Sequence, residues 1–188
     1  MAETALVIAA HPDDGEFGAA GYSAQLAAKG WDVFFLICTN GAKGTEDRAM
    51  PRERLIALRR EEQREACRRI GAKDVYFLDN EDGELSYNRA LLEQVVRHIR
   101  KLRPHTVLTH DPTDIIIRDS FINHPDHRAT GTAALDAGDG LPQRLAARRP
   151  ASSPSKSTTK FSVSRFKSCA CRSVIAVPRG ATTFLIPS

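Results

Sequence analysis

Two short segments, about a hundred residues apart, contain side chains that could bind a metal ion. The first, AAHPDDGEFGAAG over residues 9–21, ends a run of small apolar residues on His11, Asp13 and Asp14. The second, NHPDHRATG over residues 123–131, repeats the His-Pro-Asp sequence and adds a further histidine. Histidine nitrogens and carboxylate oxygens are both ligands of Zn²⁺ and similar divalent ions. If the fold brings the segments together, they predict metal-assisted chemistry.

The first segment has the order that a metal site after a strand would need. Pro12 favours extended backbone at His11 and starts a turn that can bring Asp14 back beside that histidine. Asp13 then lies next to the site without binding the metal, and such a carboxylate can take a proton from metal-activated water. The alternative is that an aspartate caps the helix that follows. This motif alone does not decide between a cap and a metal site.

The second segment favours the metal site. Four of the six histidines fall at predicted strand ends or at a loop–helix junction: His11, His110, His124 and His127. A catalytic zinc commonly takes three protein ligands and keeps one position open. We therefore predict His11, Asp14 and His127 as the ligands. That choice leaves His124 for the substrate and Asp126 to orient it.

The glycines of the first segment allow a second interpretation, a dinucleotide-binding loop. Their spacing is G-x-x-G-x-x-G rather than G-x-G-x-x-G, and two aspartates stand where phosphates would have to lie. We expect the glycines instead to let the backbone pass close to the site and the helix pack tightly on the sheet.

The elements that position these residues alternate between strand and helix. Apolar and β-branched runs predict strands over 4–10, 31–38, 74–79 and 105–110. Helical patterns follow over 16–30, 51–70 and 88–102, and again from the second segment, after a loop that runs to about residue 122. The order predicts an α/β fold, a Rossmann-like doubly wound, mostly parallel sheet in three α/β/α layers. Ligands bind beyond the carboxyl ends of such strands, where both segments fall.

Charge divides the chain into a main domain, 1–140, and an atypical basic tail, 141–188. The tail has nine Lys and Arg and no acidic residue, whereas residues 1–140 hold 18 basic and all 23 acidic residues. The main domain therefore lacks the uniformly basic surface of a nucleic-acid-binding protein. In the tail only 173–177 resembles a strand. We expect this end to be truncated or frame-shifted, and so not native sequence of the fold.

Several classes are disfavoured by composition. Apolar runs are far shorter than the roughly 20 residues of a membrane helix, and no basic residue precedes the first of them as in a signal peptide. We expect a cytoplasmic protein without membrane contact. The four cysteines, Cys38, Cys67, Cys169 and Cys171, lack the spacing of a zinc ribbon, and we expect free thiols.

The two segments resemble the LmbE / PIG-L family of zinc-dependent N-acetylglucosaminyl deacetylases. AHPDD and HPDHRATG carry the resemblance, which covers residues 4 to about 137. TNGAKGT over residues 39–45 resembles a family loop, and RREEQREACRRIG fits the family's helix pattern R-x-x-E-x-x-x-A-x-x-x-L-G.

The resemblance implies a role for each matched residue. The zinc ligands fall on His11, Asp14 and His127, and the general base falls on Asp13. The histidine that stabilises the transition state is His124, and the arginine that contacts the substrate is Arg59. Arg59 could equally be a solvated charge on a highly charged helix.

The implied activity is hydrolysis of the N-acetyl group of an N-acetylglucosamine-type conjugate, with Zn²⁺ or another divalent ion such as Fe²⁺ as cofactor. The implied partner is a small N-acetyl sugar, with no nucleic acid and no membrane, and homo-oligomerisation is left open. Three alternatives remain. They are a related amidase acting on thiol or natural-product conjugates, a catalytically silent remnant with a basic interaction tail, and a nucleotide-binding α/β domain.

Overall fold

Strands and helices alternate along the main domain as the sequence predicts. The computed structural model describes residues 2–117 and 121–138, together with the backbone of three strands at 163–164, 174–178 and 184–185. The strands are β1 (Thr4–Ala9), β2 (Asp32–Thr39), β3 (Asp74–Asn80), β4 (Thr106–His110), β5 (Ile116–Ile117), β6 (Phe121–Ile122), β7 (Val163–Ser164), β8 (Val174–Pro178) and β9 (Phe184–Leu185). The helices are α1 (Asp14–Ala28), α2 (Arg52–Ile70), α3 (Arg89–Leu102) and α4 (Pro125–Gly138).

A parallel sheet of four strands forms the centre of the main domain. Its order is β3-β2-β1-β4, and β1 pairs in parallel with both β2 and β4. The chain builds outward from β1 to β3 and then returns to the other side of β1. The topological switch point therefore lies between β1 and β4, where ligands bind in folds of this kind.

Two apolar cores, one on each face of the sheet, complete three layers. Alternate residues of β1 point to opposite faces: Leu6 and Ile8 pack with α3 and α4, whereas Ala5 and Val7 pack with α1 and α2. The three-layer α/β/α architecture predicted from the sequence is confirmed.

Helix boundaries follow local chemistry. Asn88 caps α3 by accepting a hydrogen bond from the Leu91 N–H at 3.0 Å. Gly71 ends α2 with a φ of 86°, a left-handed conformation that glycine adopts without strain. The predicted apolar stripe of α3 is buried in the core, and it comprises Leu91, Leu92, Val95, Val96 and Ile99.

The segments before the second His-Pro-Asp motif and in the tail add strands. The predicted loop before residue 122 contains the short antiparallel pair β5–β6. The strand expected over 173–177 is observed as β8, antiparallel to β4. The division at residue 140, the other tail predictions and Cys169 and Cys171 lie outside the described residues or on segments given as backbone only. Within the described residues, no helix has the length and apolar character to cross a bilayer.

Candidate metal centre and active site

The turn after β1 folds Asp14 back against His11. The Asp14 N–H lies 3.4 Å from the His11 carbonyl oxygen, which closes the turn through Pro12. One carboxylate oxygen of Asp14, Oδ2, accepts a hydrogen bond from the His11 N–H at 2.7 Å and lies 3.0 Å from His11 Nδ1. The turn predicted from His-Pro-Asp-Asp is the one that the backbone makes.

Helix α4 brings His127 to this turn. Its Nε2 lies 3.1 Å from Asp14 Oδ1, and its ring centroid lies 5.2 Å from that of His11. One ligand atom from each of His11, Asp14 and His127 can be chosen so that all lie within 4.8 Å of one another. The three predicted ligands, separated by over a hundred residues in sequence, thus meet at the switch point of the sheet.

Asp126 occupies a different place from the one expected. Its carboxylate is fully buried and accepts hydrogen bonds from the Gly83 N–H at 2.8 Å and the Leu85 N–H at 3.2 Å. It also lies 3.1 Å from His11 Nε2, but 4.0 Å from His124 Nδ1, beyond hydrogen-bonding distance. A buried carboxylate needs several donors, and the backbone between β3 and α3 provides two of them.

His124 is oriented through its neighbour's backbone. The Asp126 N–H donates to His124 Nδ1 at 3.2 Å. Because Nδ1 accepts this hydrogen bond, the neutral ring carries its proton on Nε2. Desolvation, followed by the nearby charge of His11, lowers the pKa of His124, which favours this neutral form. His124 therefore presents an N–H donor beside His11, at a ring-centroid distance of 4.8 Å.

Negative charge dominates around His11. Burial alone would lower the pKa of His11, but the hydrogen bond and charge of Asp14, with contributions from Asp82 and Asp126, raise it to about 9. Burial would likewise raise the pKa of the Asp14 carboxyl, yet its hydrogen bond to His11 and the nearby rings of His110 and His127 hold that pKa far below its usual range. The carboxylates around His11 therefore stabilise a positive charge at this position.

Asp13, in the turn between His11 and Asp14, adopts a strained backbone conformation. Its φ is 94°, a left-handed value that is uncommon outside glycine. Although Asp13 precedes α1, its side chain makes no capping hydrogen bond among the described residues. Helix capping therefore does not account for this aspartate.

Arg59 of α2 holds Asp13 in place. Its Nη2 donates to Asp13 Oδ2 and to the Pro12 carbonyl oxygen, each at 2.6 Å. The Arg59 side chain is 22% exposed, so it does not extend freely into solvent. Both residues line a cavity of about 100 Å³ between α1 and α2.

The sequence interpretation missed one carboxylate at the site. Asp82 Oδ1 lies 3.3 Å from His11 Nε2, while Asp82 Oδ2 accepts from the Lys43 N–H at 2.8 Å. The available signal was its position just past the end of β3, at the same edge of the sheet as the other site residues.

His110 is one of the four clustered histidines, and the sequence alone assigns no role to it. Its Nε2 accepts a hydrogen bond from the Ala10 N–H at 3.0 Å, and its ring stacks on His127 with centroids 4.1 Å apart. Burial lowers the pKa of His110 and keeps the ring neutral. His110 thus supports β1 and His127 from within the core.

Glycines permit the close packing of helices at the site. A Cβ atom at Gly15 would lie 2.7 Å from the Phe35 ring, and one at Gly131 would lie 2.4 Å from the His110 carbonyl oxygen. At Gly21 no described atom lies within 4 Å of such a position. The expected role in tight packing therefore holds for Gly15 and not for Gly21.

The chain resembles known deacetylases across this whole region. Residues 6–138 match the family described as PIG-L: GlcNAc-PI de-N-acetylase. The chain is 37% identical over 139 residues to diacetylchitobiose deacetylase of Thermococcus kodakarensis, with 73% of this chain and 50% of that protein covered.

Solved structures share the fold. N,N'-diacetylchitobiose deacetylase of Pyrococcus horikoshii superposes with a TM-score of 0.69 and 35% identity, covering 75% of this chain and 52% of that one. GalB, the 4-carboxy-2-hydroxymuconate hydratase of Pseudomonas putida, gives a TM-score of 0.63 and 26% identity, covering 72% and 55%. The chain spans about half the length of the relatives it matches. Because residues 6–138 match the family model, the chain belongs to the PIG-L (LmbE-like) family, and its close homologues are deacetylases of that family.

Proposed function

We propose that the protein is a metal-dependent hydrolase that removes the N-acetyl group from an N-acetylglucosamine-type sugar conjugate. The observation that carries the proposal is the convergence of His11, Asp14 and His127 at the switch point. The similarity to diacetylchitobiose deacetylases supports the reaction and the substrate class.

The proposed ligand set suits a divalent cation. Two imidazoles and one carboxylate are a donor set that Zn²⁺ and Fe²⁺ both accept in proteins. The lowered pKa of Asp14 keeps its carboxylate ionised, and the carboxylates around His11 raise the pKa of its ring. Both shifts indicate that the site favours a positive charge. A Zn²⁺ ion bound there would polarise the acetyl carbonyl and lower the pKa of a water molecule to about 7.

Asp13 is the proposed general base. Its carboxylate takes a proton from the water that attacks the acetyl carbon. When the C–N bond breaks, Asp13 returns that proton to the leaving amine, so the products are acetate and an amino sugar. Arg59 keeps the carboxylate in place through its contact with Oδ2. A direct contact between Arg59 and the sugar is a separate prediction from the family resemblance.

His124 is the proposed donor to the oxyanion that develops on the acetyl oxygen. Its Nδ1 accepts from the Asp126 N–H, which leaves the Nε2–H group free to donate in the transition state. Asp126 then acts on the site through His11 and through its own backbone. The carboxylate contact with His124 that the sequence suggested is replaced by this backbone contact.

The test is metal analysis combined with acetate release. The chain is assayed with and without added Zn²⁺ on N-acetylglucosamine and N,N'-diacetylchitobiose, and Asp13→Asn is compared with the exposed control Asp47→Asn. We expect metal-dependent acetate release that falls by about 10²-fold or more in Asp13→Asn and is unchanged in Asp47→Asn. Acetate release that is unaffected in Asp13→Asn would remove this residue from the mechanism. Absence of release from either sugar by the metal-loaded wild type would contradict the activity itself.

A further inference from the structure

A buried glutamine lies directly against the backbone of Asp13. Gln63 of α2 is only 2% exposed. Its Oε1 accepts a hydrogen bond from the Asp13 N–H at 3.0 Å, and its Nε2 donates to Glu16 Oε1 at 2.6 Å. The amide of Gln63 thus joins the turn after β1 to the first turn of α1.

The Asp13 peptide needs such a partner. A non-glycine residue at a φ of 94° costs on the order of 1–3 kcal/mol and persists only where its surroundings fix it. The N–H groups at a helix N-terminus also have no partner within the helix. Gln63 satisfies one of these donors and fixes the peptide at the strained position.

Gln63 and Arg59 act from the same face of α2. They are four residues apart, so successive turns of the helix present both side chains to the same neighbour. Arg59 holds the carboxylate of Asp13, and Gln63 holds its peptide N–H. Two separate contacts from α2 therefore hold Asp13, one at its carboxylate and one at its peptide N–H.

We infer that Gln63 is a positioning residue for the general base: its side-chain amide fixes the strained Asp13 peptide, and so directs the Asp13 carboxylate towards the site. The inference rests on the proposed function, in which Asp13 takes the proton from water. Gln63 itself touches neither the predicted metal ligands nor, in this account, the substrate.

The experiment compares Gln63→Met with Gln94→Met. Gln94 of α3 accepts a side-chain hydrogen bond from Asn80, so the same substitution there removes a glutamine contact that lies away from Asp13. We expect Gln63→Met to bind Zn²⁺ as the wild type does, with kcat lower by about 10- to 100-fold and KM within about twofold. Gln94→Met should leave both constants within about twofold.

A swap variant separates positioning from packing. In the double variant Glu16→Gln with Gln63→Glu, the new carboxylate at position 63 accepts from both the Asp13 N–H and the new amide at position 16, at unchanged net charge. We expect the double variant to restore kcat to within about threefold of the wild type. A double variant that folds and is as slow as Gln63→Met would overturn the positioning role. If Gln63→Met does not fold, Gln63→Asn replaces it, because the shorter side chain keeps an amide but does not reach Asp13.

Each outcome has a distinct meaning. If Asp13→Asn loses activity while Gln63→Met keeps the wild-type kcat, the positioning role is overturned and the proposed function stands. A loss in Gln63→Met that appears in KM or zinc content alone also overturns the role. If Asp13→Asn itself keeps the wild-type kcat, the assignment of the base is wrong, and the positioning role falls with it.

Discussion

At the scale of single residues, Asp13 combines a proposed catalytic role with a strained backbone that lowers the stability of the fold. Asp13 lies where the backbone adopts a left-handed φ of 94°, and the structure holds it there with Arg59 and Gln63. Such strain is common at residues that must present a side chain in one direction. The resulting trade-off between stability and activity is measurable at this one position.

Asp13→Gly and Asp13→Ala test this strain. Both variants remove the carboxylate and its contact with Arg59, but only glycine adopts a positive φ without a steric penalty. We expect Asp13→Gly to unfold in urea with a free energy about 1 kcal/mol higher than Asp13→Ala. Both should lose deacetylase activity. Equal free energies of unfolding would show that the backbone at residue 13 is not strained.

Residues that contact the site from outside the two motifs were harder to predict. His11, Asp14 and His127 could be chosen because their types and spacing indicate ligands. Asp82 stands among the acidic residues Glu81 and Glu84, which is the pattern of a solvated loop. Gln63 likewise follows a run of charges on α2. Only the three-dimensional packing distinguishes Asp82 and Gln63, which make buried contacts, from polar side chains that face solvent.

At the scale of secondary-structure elements, helix α4 carries Asp126 and His127, and His124 directly precedes its first residue. Gly131 lets this helix approach the end of β4, since a Cβ there would lie 2.4 Å from the His110 carbonyl oxygen. That oxygen belongs to the backbone and does not move aside easily. The position of the helix, and hence of three site residues, depends on this contact.

Gly131→Ala and Gly21→Ala form a matched pair within helices. We expect Gly131→Ala to lower the free energy of unfolding by about 1–3 kcal/mol and to weaken zinc binding, because α4 must shift. Gly21→Ala meets no described atom within 4 Å and should raise stability by up to about 1 kcal/mol through helix propensity. Chemical denaturation and zinc titration measure both effects. A Gly131→Ala protein as stable as the wild type would contradict this packing.

The order of elements was predictable, and their mutual contacts were less so. Strict alternation of strand and helix indicated the parallel sheet, and the position of both segments at carboxyl ends of strands indicated that they meet at one edge. The partner of Asp126 was not predictable, since its backbone donors at Gly83 and Leu85 lie 43 and 41 residues away. A sequence pattern identifies a buried acid more readily than it identifies the donors that satisfy it.

At the scale of the whole molecule, each of the two apolar cores contains one buried cysteine, whose reactivity can be measured. Cys38 packs between the sheet and helices α3 and α4, and Cys67 packs between the sheet and helices α1 and α2. Burial raises the pKa of each thiol to about 12, so neither is ionised at neutral pH. Thiolate is the reactive form. The two thiols therefore test whether both layers are intact in solution.

We expect Cys38 and Cys67 to resist alkylation in the native protein at pH 8 and to react fully in urea. Iodoacetamide labelling followed by peptide mass spectrometry distinguishes them from Cys169 and Cys171. Rapid native labelling of Cys67 alone would show that the α1–α2 layer opens, whereas labelling of Cys38 would show the same for the α3–α4 layer.

In the proposed metal centre, His11, Asp14 and His127 together hold one divalent ion. The most direct measurement is the zinc stoichiometry of the whole chain after equilibrium dialysis, compared between His127→Ala and His98→Ala. His98 lies on α3 and hydrogen-bonds the Gln94 carbonyl oxygen, so its loss is a matched removal of one imidazole. We expect about one zinc per chain in the wild type and in His98→Ala, and weak or absent binding in His127→Ala. Tight binding of one zinc by His127→Ala would contradict this metal centre.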